Sequence, residues 1–107
     1  MIQFPCPYLN SEVQWTEERE RHTAQHHPDL LPEYMEHIAK TLADPDLVRR
    51  SERSESARLF SRWYTDVRGG KHVVVVVMSE PATGRHWIIT AYLARKLAEG
   101  ETEWKRS

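Results

Sequence analysis

Three histidines early in the chain, His22, His26 and His27, are residues whose type could do chemistry. On a helix, His22 and His26 are four residues apart and share one face. Histidine titrates near neutral pH, so this group could act as a general acid or base. The alternative interpretation is a polar surface helix with solvated imidazoles. No metal site is predicted, because the sequence offers no third ligand and no glutamate directly after the first histidine.

A second group combines Arg62 and Tyr64 on one expected strand with Thr90 and Tyr92 on another. Residues two apart in a strand point to the same side, so we expect these four side chains to share one face of the sheet. Arranged around a histidine, these side chains could form a reaction site for a phosphodiester. Arginine would neutralise the negative charge that develops on the phosphoryl oxygens, and histidine would transfer the proton. The alternative interpretation is a pair of half-buried tyrosines whose hydroxyls reach water.

Basic side chains are dense between residues 49 and 71, and aromatic side chains interleave with them. Such a mixture suits single-stranded RNA, through phosphate contacts and base stacking. We expect Arg58, Lys71 and His86 to contact the substrate. The alternative is a solvated loop whose charge is balanced by Glu52 and Glu55. The set comprises Arg49, Arg50, Arg53, Arg58, Arg62, Arg68 and Lys71, with Phe60, Trp63 and Tyr64.

The elements that must position these groups centre on residues 71–93. Five consecutive valines, Val73–Val77, predict a strand, because branching at Cβ restricts χ1 and favours extended backbone. A second β-branched and aromatic run, His86–Leu93, follows a stretch with proline and glycine, so we predict a β-hairpin. Its first strand is apolar on both faces and therefore belongs in the middle of a sheet.

Two helices are expected before this hairpin. Thr16 can cap a very polar helix that ends near His26, because Pro28 disfavours helical geometry at the preceding residue. An amphipathic helix opens at Pro32, with apolar residues at spacings of three and four, and stops at Asp44. Residues 58–65 alternate as a strand does, and residues 94–98 suggest one helical turn.

Length, charge and cysteine content limit the class of protein. The 107 residues suit a single α+β domain over residues 12–107, behind an irregular arm at residues 1–11. We predict two N-terminal helices followed by a three- to four-stranded antiparallel sheet. With 15 basic and 16 acidic residues, any nucleic-acid binding must come from a local patch. One cysteine excludes an internal disulfide, and no signal peptide or membrane span is apparent, so we expect a cytoplasmic protein.

Several short motifs occur in an order that resembles a known family. The segment 22–30 resembles a pattern in which a histidine is followed five residues later by His-Pro and an acid. The segment 41–51 resembles the pattern TL-x-x-PD-x-V-x-x-S. Arg62-Trp63-Tyr64, the valine strand, Thr90-Ala91-Tyr92 and the segment 100–104 then follow. Over residues 12–104 the chain is similar to the small phage and bacterial domains of the barnase–EndoU–colicin–RelE-like nuclease superfamily.

The resemblance implies helices leading into a four-stranded antiparallel sheet. It also implies metal-independent RNA cleavage, in which a base activates the ribose 2′-hydroxyl against the adjacent phosphate. No cofactor is expected, and the expected partners are RNA, an antitoxin or immunity protein, and a second copy of the chain. The alternative is a non-catalytic RNA- or protein-binding module on the same fold. By position, the resemblance implies six catalytic residues: His22 as acid or base, His27, Arg62 as phosphate clamp, Tyr64, Thr90 and Tyr92.

Overall fold

The computed structural model describes residues 1–97 and 100–107, and within them the chain forms a seven-stranded sheet with two α-helices. Its elements are β1 (Ile2–Cys6), a short 3₁₀ helix (Pro7–Leu9), β2 (Ser11–Trp15), α1 (Glu17–His26), α2 (Met35–Ala43), β3 (Leu47–Arg50), β4 (Ala57–Tyr64), β5 (Lys71–Glu80), β6 (Arg85–Ala94) and β7 (Glu101–Lys105). The order across the sheet is β1-β2-β6-β5-β4-β3-β7. β2 runs parallel to β6, and the other neighbours are antiparallel.

The predicted three- to four-stranded antiparallel sheet behind two N-terminal helices is wrong. β1 and β2 precede both helices, so the first residues form a strand and not an irregular arm. In β1, Phe4 and Cys6 point into the core, while Pro5 is exposed on an edge strand, where its missing N–H costs no ladder hydrogen bond. β7 forms the other edge and is mostly charged and exposed. Neither edge strand has the apolar run by which a strand is recognised in a sequence. The chain still mixes helices and strands in an α+β arrangement.

β5 is the central strand, as the valine run predicts. Val73, Val75 and Val77 belong to the hydrophobic core, and Val74, which points to the opposite side, is also fully buried. β4 and β6 pair with β5 on its two sides. A strand covered on both faces needs apolar side chains at successive positions, which explains the unbroken run.

α1 begins and ends where local signals predict, whereas α2 begins at Met35 and not at the predicted Pro32, because residues 28–34 form turns. Both helices pack against the sheet. The hydroxyl of Thr16 accepts a hydrogen bond from the backbone N–H of Arg19 at 3.2 Å, which caps α1. α1 lies against β6, whereas α2 lies against β1, β4 and β5. α2 buries Ile38 and Leu42, the apolar stripe seen in the sequence. We call the sheet face covered by α2 the inner face and the opposite one the outer face.

Cross-strand pairing divides the side chains of β4, β5 and β6 between these faces. Phe60, Val75 and Ala91 form one row across the inner face and are all in the core. The alternate residues therefore lie on the outer face. They are Leu59, Ser61 and Trp63 of β4, His72, Val74 and Val76 of β5, and Thr90 and Tyr92 of β6.

The chain between β6 and β7 has to pass three strands, because these are the third and seventh strands of the sheet. The helical turn predicted at 94–98 is wrong for the residues that the structure describes, because Ala94 is the last residue of β6 and residues 95–97 are not helical; Ala98 lies outside the described residues. Gly100 then lies against Arg49 of β3, since a Cβ at Gly100 would stand 3.8 Å from the Arg49 Cβ. Arg49 is only 3% exposed. Neither α1 nor α2 is long and apolar enough to cross a bilayer.

Candidate functional site

The expectation that Arg62, Tyr64, Thr90 and Tyr92 share one face is wrong. Arg62 lies in a cross-strand row with Leu93, through β5, and this row is on the inner side of the sheet. Thr90 and Tyr92 alternate with Leu93 and therefore lie on the outer face. A difference of one residue in register reverses the face of every side chain in a strand, and register depends on partners distant in the sequence.

Arg62 and Tyr64 both bind within the protein. Nη1 of Arg62 donates to the Asp44 carboxylate at 2.8 Å and to the backbone carbonyl of Asp44 at 2.7 Å. The Tyr64 hydroxyl lies 3.0 Å from Oγ1 of Thr41 and donates to the His37 carbonyl at 3.1 Å. Burial raises the pKa of Tyr64. These contacts tie β4 to α2.

His22 is exposed on α1, where its ring stacks on that of His26 with 4.1 Å between centroids. It borders an open cleft of about 300 Å³ that is lined by α1 residues alone. α1 packs on β6, and β5 lies between β6 and the strand that carries Arg62. The fold therefore does not bring His22 to Arg62, and the acid–base role of His22 stays a prediction. Within residues 1–97 and 100–107, no three His, Cys, Asp or Glu side chains are grouped to hold a metal ion.

Two of the three predicted substrate-binding residues lie in one hydrogen-bond chain. Nε of Arg58 donates to Glu103 at 2.9 Å, and Nη1 donates to Oγ of Ser79 at 3.4 Å. The same Oγ lies 2.7 Å from Nδ1 of His86. Burial, and secondarily the charge of Arg58, lower the pKa of His86. Lys71, at the opposite end of β5, donates to a backbone carbonyl at 2.9 Å.

His27, Thr90 and Tyr92 are the predicted catalytic residues that the fold brings to one region. His27 follows the last residue of α1, and its ring lies 6.0 Å from the Tyr92 ring. Thr90 lies two residues before Tyr92 on the same face of β6. All three are partly exposed.

Two further residues, Arg49 and His72, join this region and were not predicted as part of it. Burial lowers the pKa of His72; the Asp46 carboxylate opposes that shift, and the Arg49 guanidinium adds to it. Burial also lowers the pKa of Arg49, and the oxygen of Tyr92 opposes that shift. His72 is thus electrostatically linked to Arg49, and Arg49 to Tyr92. We call His27, Arg49, His72, Thr90 and Tyr92 the outer-face cluster.

The spacing of the cluster follows from the sheet. Tyr92 pairs with Val74, so His72 lies on the neighbouring strand and two residues along it. Adjacent strands are about 4.8 Å apart, and two residues span about 6.7 Å, which puts the two Cα atoms about 8 Å apart. Both side chains project from the outer face. The alternation of His72 with Val74 and Val76 in the sequence does indicate that His72 shares their face of β5. The residues beside His72 on the neighbouring strands could not be predicted, because they depend on how those strands are registered against β5.

No protein-family model, curated protein or solved structure significantly matches this chain. Similarity to known proteins therefore assigns neither a family nor a function.

Proposed function

We propose that this protein is a small metal-independent ribonuclease whose active site is the outer-face cluster. In this reaction the ribose 2′-oxygen attacks the adjacent phosphorus, a 2′,3′-cyclic phosphate forms, and the bond to the 5′-oxygen breaks. The reaction needs a base for the 2′-hydroxyl proton, an acid for the leaving oxygen, and positive charge near the phosphoryl oxygens. The observation that supports the proposal is the placement of His72, Thr90 and Tyr92 on one face of the sheet, with the His27 ring 6.0 Å from the Tyr92 ring.

His72 is the proposed general base. Its lowered pKa keeps the imidazole neutral at neutral pH, and only the neutral ring can accept the 2′-hydroxyl proton. The two causes of that shift, burial and the Arg49 charge, are both built into the sheet.

His27 is the proposed general acid, which donates a proton to the departing 5′-oxygen. Tyr92 and Thr90 present hydroxyl groups on the same face and would donate hydrogen bonds to the phosphoryl oxygens. Arg49 is too buried to touch RNA.

The ion pairs formed by two other arginines, Arg58 and Arg62, argue against a catalytic phosphate clamp. They favour a second candidate function, a non-catalytic RNA- or protein-binding module. Arg58 is engaged by Glu103, and Arg62 by Asp44, so neither guanidinium is available to clamp a phosphate without breaking an ion pair. A cytoplasmic location and an antitoxin or immunity protein belong to the first proposal, because a ribonuclease active in its own cell needs an inhibitor. A homodimer also stays a prediction.

Cleavage of a labelled single-stranded RNA in excess chelator tests the proposal. His72→Ala and His27→Ala should each lower the rate by about 100-fold or more, the usual contribution of a general acid or base. His22→Ala and His26→Ala are the matched controls on exposed positions of α1 and should keep the wild-type rate. Growth arrest on expression should be relieved by His72→Ala.

Other outcomes of this experiment contradict the proposal. A wild-type protein that does not cleave RNA in chelator is not the ribonuclease proposed. RNA binding that persists without cleavage, and that His72→Ala leaves unchanged, identifies the binding module. If His22→Ala is the only one of these variants that loses cleavage, then His22 is the proton-transfer residue, as the sequence predicts.

A further inference from the structure

An exposed tryptophan borders the outer-face cluster. Trp63 lies near the end of β4 with 43% of its surface exposed, although large apolar side chains are normally covered. Its ring meets the ring of His72 edge to face, with 4.9 Å between centroids and an interplanar angle of 70°. The exposed indole therefore contacts the proposed general base directly.

The position of this indole is fixed by the turn that follows β4. Gly70 is buried and has φ +104°, and a Cβ there would stand 2.8 Å from Cζ2 of Trp63 and 3.1 Å from Cη2. The backbone N–H of Trp63 donates to the Asp46 carboxylate at 2.8 Å. The ring thus contacts both the turn and His72, while 43% of the residue's surface is exposed. A ring held in this way loses little conformational freedom when a ligand stacks on it.

We propose that Trp63 stacks an unpaired nucleobase, so that the substrate is single-stranded RNA. This inference rests on the proposed function and names the substrate class of the same site. An aromatic side chain stacks on any base that has been freed from its neighbours, whereas the bases of a duplex are stacked inside it.

The sheet positions the stacked base next to the reacting phosphate. Trp63 pairs with His72, and the neighbouring row, two residues along the strands, contains Tyr92. These rows are about 6.7 Å apart. A base on Trp63 therefore belongs to a nucleotide adjoining the phosphate that His72 and Tyr92 address. Stacking would also fix the sugar and bring its 2′-hydroxyl close to His72.

Fluorescence anisotropy with a labelled single-stranded RNA, and with the duplex of the same sequence, tests the inference. The His27→Ala background prevents cleavage under the proposed mechanism and lies away from Trp63. Adding Trp63→Ala should weaken binding of the single strand roughly tenfold, the order expected for one lost base–aromatic stack. Trp63→Phe keeps a ring and should retain most of the affinity. The duplex should bind at least about tenfold more weakly than the single strand.

Trp104→Ala is the matched control, because Trp104 is 38% exposed on β7 and packs beside Tyr8, away from the outer-face cluster. This variant should bind RNA as its parent does. The inference is overturned if single-stranded RNA does not bind, if the duplex binds equally well, or if Trp63→Ala weakens binding no more than Trp104→Ala.

These experiments can refute the proposed ribonuclease activity and the proposed stacking site independently of each other. Trp63-dependent binding of single-stranded RNA by a wild-type protein that never cleaves it supports the stacking site and refutes the ribonuclease. The opposite result is also possible. If cleavage requires His72 and His27 but Trp63→Ala does not weaken RNA binding, the ribonuclease is supported and the stacking site is refuted.

Discussion

The ring of His27 packs against the ring of Tyr92, with 6.0 Å between centroids and 37° between planes. The contact joins the end of α1 to the outer face of β6. The backbone N–H of His27 donates to the Thr23 carbonyl at 2.7 Å, so the helix end fixes the residue that carries the imidazole. The imidazole of His27 is thus held through both its backbone and its ring, which is the preorganisation that its proposed role in proton transfer requires.

The substitution Tyr92→Phe distinguishes the contribution of the Tyr92 hydroxyl from that of its ring. Phenylalanine keeps the packing against His27 but cannot donate to a phosphoryl oxygen, so we expect kcat to fall by about 100-fold, as for the loss of one transition-state donor. Thermal unfolding should stay close to that of the wild type. Tyr92→Ala loses both functions and should lower kcat and Tm together. A Tyr92→Phe protein with unchanged kcat would assign the tyrosine a packing role alone.

The two histidines with lowered pKa values, His72 and His86, predict that acid destabilises the fold. Each has a folded-state pKa below its ordinary 6.5, chiefly because of burial. The unfolded chain then binds protons more readily, so their contribution is fully present above pH 6.5 and is lost as the pH falls towards the lowered values. The urea midpoint should therefore fall across this interval. It should fall less steeply in His72→Gln and in His86→Gln, and least in the double variant; equal slopes in all four proteins would contradict the assignment.

Several features decided by neighbours in the sequence were predicted correctly, although the start of α2 at Pro32 was not. The valine run forms the central strand because five β-branched residues favour extended backbone wherever the chain folds. The Thr16 cap and the end of α1 before Pro28 are equally local. The alternation that puts Thr90 and Tyr92 on one face needs only the two-residue period of a strand.

Features decided by distant partners were not predictable in this way. The faces of Arg62 and Tyr64 depend on how β4 is registered against β5, and a single-residue slip reverses them. β7 has few apolar residues and is a strand because it pairs with β3, 50 residues or more away in the chain. The link between Arg49 and His72 likewise joins β3 to β5, which have β4 between them.

Tyr64→Phe distinguishes a structural from a catalytic hydroxyl. The hydroxyl is buried between Thr41 and the His37 carbonyl, so its removal should lower the free energy of unfolding by about 1 kcal/mol, the net value of a typical hydrogen bond. Urea unfolding measures this change, and a double-mutant cycle with Thr41→Val should show the pair to be coupled. RNA cleavage should be unaffected. A fall in cleavage without a loss of stability would make Tyr64 catalytic, as the sequence alone predicts.

Gly70→Ala and Gly69→Ala form a matched pair that isolates the support of Trp63. Both glycines have positive φ, +104° and +77°, so alanine at either position is strained by roughly 1 kcal/mol or more. Only at Gly70 would the new Cβ meet the indole, at 2.8 Å, while nothing lies within 4 Å of it at Gly69. Gly70→Ala should therefore unfold at lower urea and bind single-stranded RNA more weakly, because the ring must move. Gly69→Ala should lose stability but keep its RNA affinity. If both variants bind RNA like the wild type, the placement of Trp63 by this turn does not contribute to recognition.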